Sequence, residues 1–420
     1  MLIRRLVSLL VSCIVKPVVD LRTRVTVLSE SADRDGPQGS LMRPGDPVGI
    51  TRVRYPGQGS TRLMRVMQTN ACSLSCGYCP TFCGGKVRRT FLSPEEVARV
   101  FMDAHRAGLA DGLFLTSGVP GRPAKMTDRM LAAVDLLRRR EDFQGYVHLK
   151  LLPGAEPAQV ETAVRLASRV SINLEAPGAA YVRALAREKD FAGDLLPKLE
   201  LAGRLMLERR RAQAPSRFAA VGTTTQFVVG AAGEQDREIL DVVTRLERRR
   251  LLHHAHFSAF QPVVGTPFEG RRPTPARREL RLYQAEHLVR QYGFGYDELV
   301  FAGDGNLPLD DDPKTAWALT HPERFPVEVS RAPYESLVRV PGIGPATARA
   351  LVDGRRRSVI RWSGDLRAAG VDVTRAAWFL SLRGRRLASS PAPRQLRLFP
   401  HGEHLTQAPF RTPVPPCAYR

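Results

Sequence analysis

The stretch Cys72-Ser-Leu-Ser-Cys76-Gly-Tyr-Cys79 places three thiols within eight residues. It follows the strand-like run 63–69 and precedes a glycine-rich, basic turn. Thiolates clustered this tightly are typical of metal ligands, because packing gives no reason for three sulfurs in one loop. Iron–sulfur clusters commonly take four thiolates. A cluster held by only three would keep one iron open, much as a catalytic zinc keeps an exchangeable position.

The C-x3-C-x2-C spacing resembles the signature of the radical S-adenosylmethionine (SAM) superfamily, in which an aromatic residue such as Tyr78 precedes the third cysteine. The resemblance implies a [4Fe–4S] cluster on Cys72, Cys76 and Cys79. SAM would chelate the open iron, and its one-electron cleavage would release a 5′-deoxyadenosyl radical. An electron donor such as flavodoxin or ferredoxin is implied as a partner. The alternative is a zinc site with Cys83 as fourth ligand. We interpret Cys83 as a bystander, because the downstream sequence continues to match the superfamily.

Beyond this loop, strand-like and helix-like segments alternate, a pattern that predicts βαβ units and a parallel sheet. We predict an α/β fold whose core, residues 61–300, is the partial (βα)6 TIM-type barrel that the cysteine motif implies. The predicted strands are 112–118, 146–151, 170–174, 223–229 and 255–260, and the predicted helices are 93–108, 126–140, 156–168, 195–211, 234–250 and 275–292.

Ligands of such barrels bind at the carboxyl ends of the strands. By resemblance to the superfamily, Ser117 and Gly118 would contact the amino group of SAM, although the usual Glu of that motif is missing. Asn173 and Glu175 share one face of the fourth strand and would contact the ribose and methionine groups. Gln226 and Val229 lie in the segment that resembles the adenine-binding motif. These segments follow the cysteine motif in the order that the superfamily has, and the resemblance rests on the whole set.

His148 and Lys150 share one face of the third predicted strand by the two-residue period. If that face points into the barrel, Lys150 would bind an anionic substrate or the carboxylate of SAM. The alternative is a lysine at a strand end that reaches solvent.

The C-terminal region carries Val340-Pro-Gly-Ile-Gly344-Pro345, a glycine-containing turn between two helical segments. It resembles the helix-hairpin-helix motif, in which backbone amides at a helix N-terminus point at a DNA phosphate. We predict a small all-α module over 331–386, with twelve arginines and four acidic residues. The alternative is a helical hairpin used for domain packing or protein contact. The predicted DNA-binding residues are Gly342, Ile343, Gly344, Thr347, Arg349, Arg355 and Arg356.

The remaining segments are assigned from composition. Residues 1–60 are predicted to be a poorly determined extension rich in loop residues, 301–330 a connecting segment, and 387–420 a disordered, proline-rich tail. Within the tail, the five residues from Gln395 to Phe399 resemble the peptide that docks on the bacterial sliding clamp. Gln395, Leu396, Leu398 and Phe399 would make that contact.

The formal charge of +21 points to a polyanionic partner, although arginine richness also reflects GC-rich genomes. Four of the six cysteines lie in one loop, which does not suit a disulfide framework and favours a reducing, cytoplasmic location. No apolar run reaches membrane-spanning length, so no membrane association is predicted.

Together these segments resemble a bacterial family of radical SAM proteins assigned to DNA modification or repair, which end in a helix-hairpin-helix. The resemblance covers about residues 61–386. It implies a radical SAM enzyme that acts on nucleic acid, with DNA as the favoured partner. The alternatives are an enzyme that modifies tRNA or another RNA, and a non-catalytic DNA-binding protein whose cluster senses redox state.

Overall fold

A seven-stranded sheet forms the centre of the computed structural model, which describes residues 20–33, 49–55, 59–212, 219–357 and 363–388. The strands lie side by side in chain order. They are β1 (Ile50–Tyr55), β2 (Gly59–Met67), β3 (Gly112–Thr116), β4 (Tyr146–Lys150), β5 (Arg169–Ser171), β6 (Gly222–Val229) and β7 (His254–Ala259). β1 pairs antiparallel with β2, and every later neighbouring pair is parallel.

Helices connect the parallel strands. Among the described residues they are α1 (Leu21–Asp33), α2 (Pro94–Arg106), α3 (Pro123–Arg139), α4 (Pro157–Leu166), α5 (Ala179–Leu185), α6 (Leu196–Arg211), α7 (Asp236–Arg248) and α8 (Ala276–Tyr292). α2 begins at a capping box: the Glu96 amide donates to Ser93 Oγ at 3.2 Å, and the Ser93 amide donates to the Glu96 carboxylate at 2.9 Å. Such local signals let the sequence place the helix starts.

The six parallel strands curl into a half-barrel, so the prediction of an α/β fold with a partial barrel is confirmed. One hydrophobic core fills the space between the sheet and its helices. All of β3 is buried, which explains its continuous apolar sequence.

Two segments within residues 1–60, the range predicted to be a poorly determined extension, form elements of the fold. Helix α1 buries Leu28 and Ala32 completely in the barrel core. Arg24 pairs with Glu96 at 2.6 Å, which joins α1 to the start of α2. β1 extends the sheet at one edge. These elements are therefore part of the barrel, and their short amphipathic patterns carried too little signal beside the loop residues around them.

Helix α8 covers the opposite edge of the sheet. An edge strand exposes backbone amides that would otherwise have no partner. Here the Phe257 amide donates to Tyr283 Oη at 3.1 Å, and the Ala259 amide donates to the Glu279 carboxylate at 2.7 Å. Side chains of α8 therefore accept hydrogen bonds from the edge strand β7, in the place where a further strand would otherwise pair.

The C-terminal region has its own hydrophobic core, to which α8 and the following loop contribute Leu288 and Phe294. Its elements are α9 (Pro313–Thr320), β8 (Val327–Glu328), α10 (Tyr334–Leu337), α11 (Pro345–Arg357), α12 (Ser363–Ala368), α13 (Val373–Ala376), β9 (Leu380–Leu382) and β10 (Arg385–Arg386). Trp317 of α9 is 1% exposed in this core. The segment 301–330 therefore packs with the C-terminal region and is more than a connection.

The prediction that this region is all-α needs correction. β8, β9 and β10 form a small sheet, in which β8 is parallel to β9 and β10 is antiparallel to it. The Glu328 carboxylate accepts hydrogen bonds from the Arg383 and Gly384 amides, both at 2.9 Å. Three strands of two or three residues leave little periodicity in a sequence, which is why they were not predicted.

No helix in the described ranges combines the length and the apolar character needed to cross a membrane.

A buried carboxyl pair between α7 and α8 makes a prediction about stability. Burial raises the pKa of Glu247 to about 9, and the neighbouring Glu286 carboxylate acts in the same direction. The pKa of Glu247 is lower in the unfolded chain than in the folded protein. The free energy of unfolding therefore falls as pH rises from the unfolded pKa toward the folded one. Glu247→Gln should therefore raise the free energy of unfolding by about 1–2 kcal/mol at about pH 8 and change it little near pH 5.

Urea unfolding at several pH values measures this difference. Glu208→Gln makes the same chemical change at an exposed position and serves as the control. If Glu247→Gln and wild type show the same pH dependence, the assignment of a protonated Glu247 is wrong.

Candidate functional site

A cavity of about 610 Å³ opens at the carboxyl ends of the parallel strands. The cysteine loop forms one wall, and the ends of β2 to β7 with their following loops form the others. Its polar and sulfur-containing lining includes Cys72, Cys76, Tyr78, Cys79, Thr116, Ser117, Lys150, Asn173, Glu175, Lys189, Gln226 and Ser258. This volume falls in the range of sites for drug-sized ligands and cofactors.

The cysteine loop is held against the strand ends by backbone contacts. The Ser73 amide and hydroxyl both donate to the Val119 carbonyl, at 2.8 and 2.7 Å. The Ser75 amide and hydroxyl donate to the Glu188 carboxylate, at 3.1 and 2.8 Å. The Gly77 amide donates to the Leu185 carbonyl at 2.9 Å. These anchors fix the loop to the turn after β3 and to the end of α5 with its following loop.

The three cysteines differ in exposure. Cys76 is 6% exposed, whereas Cys72 and Cys79 are partly exposed at the cavity wall. Burial raises the pKa of the Cys76 thiol to about 12, although nearby Lys189 opposes this. An isolated thiolate is therefore disfavoured at Cys76, and ligation of a cationic centre is the chemistry that suits it. Cys83 is partly buried and does not line the cavity.

Among the described residues, no group of three or more His, Cys, Asp or Glu side chains converges on a position for a metal ion. The three thiols are therefore assigned to a cluster by their spacing in one loop and by their place in the cavity lining.

The turn after β3 packs directly on the cysteine loop. A Cβ on Gly118 would lie 2.3 Å from the Ala71 carbonyl oxygen and 3.3 Å from Cys72 Cβ, so only glycine fits. Ser117 is 8% exposed, lines the cavity, and has a buried hydroxyl without a hydrogen-bond partner. An orphaned hydroxyl at a cavity wall suits a ligand with its own donors and acceptors.

A buried ion pair lies in the cavity lining. Lys189 Nζ lies 2.7 Å from Glu175 Oε1 and 3.4 Å from Tyr78 Oη. Burial alone would raise the pKa of Glu175, but Lys189 and Lys150 outweigh it and hold that pKa below its ordinary value. Glu175 also has a φ of 66°, a left-handed conformation that is unfavourable for glutamate.

Lys189 was not predicted from the sequence. It follows α5 in a short loop, and nothing in its neighbours marks it as a cavity residue. The signal that existed was indirect: a predicted buried carboxylate at Glu175 requires a cationic partner somewhere in the fold.

Of the remaining residues predicted to contact SAM, three line the cavity and one points into the hydrophobic core. Asn173, Lys150 and Gln226 line the cavity, which favours the inward orientation of Lys150 over a solvent-exposed one. Val229 lies outside the lining, and its side chain is fully buried in the core, whereas Val228 lines the cavity. The prediction for the Val229 side chain is corrected, because one residue along a strand reverses the face.

The predicted DNA-binding residues lie around the hairpin between α10 and α11. Gly342 has a φ of 84° and Gly344 precedes the first turn of α11. Thr347 is partly exposed and donates to the Gly370 carbonyl at 3.2 Å. Arg349 is exposed, with its guanidinium carbon 5.8 Å from the Tyr334 ring centre.

Two of these residues have partners inside the C-terminal region, and their contact with DNA stays a prediction. The Ile343 side chain is 1% exposed in the C-terminal core, and its amide donates to the Val340 carbonyl at 3.1 Å. Arg355 donates to the Ala332 carbonyl at 2.6 Å and the Val329 carbonyl at 3.3 Å, which makes its guanidinium a structural contact. The side chain of Arg356 and the peptide of Gln395, Leu396, Leu398 and Phe399 lie outside the described residues.

The buried pair predicts a measurable coupling. Lys189→Met would leave the Glu175 carboxylate buried without its partner and should lower the free energy of unfolding by about 3 kcal/mol. Adding Glu175→Gln removes the stranded charge, so the double variant should recover most of that loss. Urea unfolding of both variants measures the effect. Equal stability of the single and double variants would show that the pair is not coupled.

Comparison with known proteins supports this description of the cavity. Residues 66–246 match the radical SAM superfamily. No curated protein is significantly similar to the chain in sequence. The superfamily uses a [4Fe–4S] cluster and SAM. The cavity fits both, because it presents the three thiols, the orphaned Ser117 hydroxyl and the close approach of Gly118 to the cysteine loop.

Solved structures that are similar to part of this chain include the [FeFe]-hydrogenase maturase HydG (12% identity, 53% of this chain, 48% of that chain, TM-score 0.41). Methylornithine synthase PylB is similar at 17% identity over 51% of this chain and 60% of that chain, with a TM-score of 0.40. SuiB of Streptococcus suis bound to SAM is similar at 12% identity over 53% and 47%, with a TM-score of 0.39. The chain thus spans roughly half the length of these proteins.

Residues 66–246 are similar to the radical SAM superfamily domain, and the members of that superfamily are enzymes that use a [4Fe–4S] cluster and S-adenosylmethionine.

Proposed function

We propose that the protein is a radical SAM enzyme that acts on nucleic acid, with DNA modification or repair as the favoured role. The observation that carries the proposal is the hairpin at Gly342–Pro345, which is braced directly by residues next to the barrel. Lys314 Nζ donates to the Ile343 carbonyl at 2.5 Å and lies 4.8 Å from the Tyr292 ring centre. A phosphate on the hairpin would therefore be held at a fixed distance from the cavity.

When bound, the cluster and SAM supply a 5′-deoxyadenosyl radical. The protein's own residues hold, orient and shield these groups. Cys72, Cys76 and Cys79 would be the cluster ligands. Ser117 and Asn173 are placed to orient SAM by hydrogen bonds. Apolar side chains between them exclude water from the reacting atoms; those in the lining are Met67, Leu74, Val119, Leu151, Leu152, Ile172, Leu195, Val228 and Phe260.

The hairpin supports a phosphate contact by its geometry. The Ala348 amide donates to the Gly344 carbonyl at 2.8 Å, which makes Gly344 the residue before the first helical position, Pro345. The amides of Ala346 and Thr347 then belong to the first turn, where no carbonyl of the same helix can accept them. Such amides and the helix dipole favour an anion.

Other parts of the proposal rest on the sequence alone. A sliding clamp is the proposed partner of the C-terminal peptide 395–399. A reductant such as flavodoxin or ferredoxin is needed by superfamily members in general. We place the protein in the cytoplasm, because the three thiols assigned to the cluster need a reducing compartment.

The cofactor part of the proposal predicts distinct outcomes for the cysteines. After anaerobic reconstitution, wild type should hold iron and sulfide and form 5′-deoxyadenosine from SAM and dithionite. Cys76→Ser should lose both the iron and the product, because a hydroxyl is a poor ligand for iron–sulfur iron. Cys83→Ser should retain both. Loss of the cluster in Cys83→Ser, or 5′-deoxyadenosine formation by Cys76→Ser, would contradict the ligand assignment.

The nucleic-acid part predicts a position-dependent charge effect on α11. Ala346 and Ala350 are both exposed, one helical turn apart. Ala346→Glu puts a carboxylate beside the first-turn amides, where it favours the helix but repels phosphate. It should weaken duplex DNA binding by at least about tenfold and reduce the salt slope by about one. Ala350→Glu carries the same charge and should have a much smaller effect.

Fluorescence anisotropy at several salt concentrations measures both variants against duplex DNA and tRNA. Equal losses in the two variants would mean that net charge alone matters and that the hairpin makes no specific contact. Tighter binding of tRNA would favour the RNA-modifying alternative. A protein that binds DNA with its cluster present but never forms 5′-deoxyadenosine would be the non-catalytic redox sensor instead.

A further inference from the structure

A row of basic and aromatic side chains lies inside the half-barrel, beneath the cavity. Lys150 lines the cavity, and His148 shares its face two residues earlier on β4. His148 is therefore about 7 Å deeper in the barrel than Lys150. The strand register places Arg169 beside His148 on β5, and Phe114 beside it on β3. Arg65 follows on β2.

The same layer continues on the far side of the barrel. Gln226 lines the cavity and pairs in register with His256 on β7, so the His256 ring points inward. Thr224 precedes Gln226 by two residues and faces the interior as well. The aromatic members pack edge to face: the rings of Phe114 and His148 are 4.8 Å apart at 83°.

Several polar atoms of this layer have no partner. His148 is 8% exposed, and its Nε2 is buried without a hydrogen bond. The Nε of Arg169 and the hydroxyl of Thr224 are also buried without one. Burying polar groups without hydrogen bonds costs free energy of folding. Other contacts of the folded protein must offset this cost, or a bound ligand must supply the missing hydrogen bonds.

The electrostatic surroundings of these atoms are positive. Burial holds the pKa of His148 well below its ordinary value, and the charged groups that add to this effect are Arg169, His256, Arg65 and Lys150. Burial lowers the pKa of His256 to about 3, with His254, Arg169, Arg65 and Lys150 acting in the same direction. Neutral imidazoles beside guanidinium groups can still donate a hydrogen bond to an anion.

We propose that His148, Arg169 and Thr224 form an oxyanion site at the base of the barrel, which binds a phosphate group of the substrate. A guanidinium, an imidazole and a hydroxyl together offer the donors that a tetrahedral oxyanion accepts. We call these three residues the basal anion site. The phosphate would lie one layer below Lys150, which leaves the sugar or base of the substrate between it and the cysteine loop.

This inference rests on the proposed function for its choice of phosphate, and it deepens that function by naming how the substrate is held. It differs from the hairpin contact, because the hairpin would bind the backbone outside the barrel. A nucleotide whose phosphate reaches the basal anion site must leave its duplex or be single-stranded.

Thermal unfolding of the anaerobically reconstituted protein tests the site, with inorganic phosphate as the probe and potassium chloride at matched ionic strength as the reference. Phosphate should raise the melting temperature of wild type above the chloride reference. Arg169→Met should need at least about tenfold more phosphate for the same rise. Arg169→Lys should retain part of the response. Arg245→Met removes an exposed arginine on α7, 66% exposed at its side chain, and should respond as wild type does.

Thr224→Val is a second variant of the basal anion site, for use if Arg169→Met does not fold. It replaces a buried, unpartnered hydroxyl with a methyl of similar shape, so stability without phosphate should not fall. Its response to phosphate should nevertheless weaken. No rise in wild type above chloride, or the same rise in wild type, Arg169→Met and Thr224→Val, would overturn the proposal.

Further probes distinguish a nucleotide phosphate from free phosphate, and distinguish the basal anion site from the DNA-binding hairpin. Deoxynucleoside 5′-monophosphates should stabilise the protein at least as well as inorganic phosphate, whereas stabilisation by deoxynucleosides alone, independent of Arg169, would contradict a phosphate site. Ala346→Glu should keep the phosphate response, because it alters only the hairpin. If DNA binding fails while phosphate still acts through Arg169, the nucleic-acid function is wrong and the basal anion site stands.

Discussion

The attachment of one short loop to the rim of the barrel is the constraint on which the rest of this structure depends. Three thiols are useful only if their loop is held still over the carboxyl ends of the parallel strands. Two anchors do this: the Val119 carbonyl after β3 accepts from Ser73, and the Glu188 carboxylate after α5 accepts from Ser75. The two anchors belong to different strand-helix units, so the cysteine loop is held across the rim of the barrel and forms a wall of the cavity.

The loop after β7 completes that enclosure. The Phe268 amide donates to the Gly77 carbonyl at 3.0 Å, and a Cβ on Gly77 would lie 2.3 Å from the Phe268 ring. The first and last parallel strands of the half-barrel therefore meet through their following loops, although the sheet itself stays open. This contact explains how an unclosed barrel can still shield a reactive site from water.

Much of this arrangement could be predicted, because the alternation of strands and helices, the spacing of the cysteines and the position of Asn173 and Gln226 near strand ends follow from short-range patterns. The orientation of Lys150 remained open until the fold placed it in the cavity lining. What could not be predicted has physical causes. Lys189 lies 14 residues beyond Glu175, in a loop after α5, and only the packing of that loop brings the two side chains together. Helix α1 joins the core only through tertiary contacts. Arg355 was assigned to DNA because sequence gives charge without direction; its carbonyl partners exist only in the fold.

The central claim is that the three thiols hold a cluster whose open iron binds SAM in this cavity. Electron paramagnetic resonance of the reduced, reconstituted protein tests it most directly, because the spectrum reports the ligands of the iron. The account predicts a clear change in the spectrum when SAM is added, and no change when the SAM analogue lacks its amino and carboxylate groups. Identical spectra with and without SAM would contradict it.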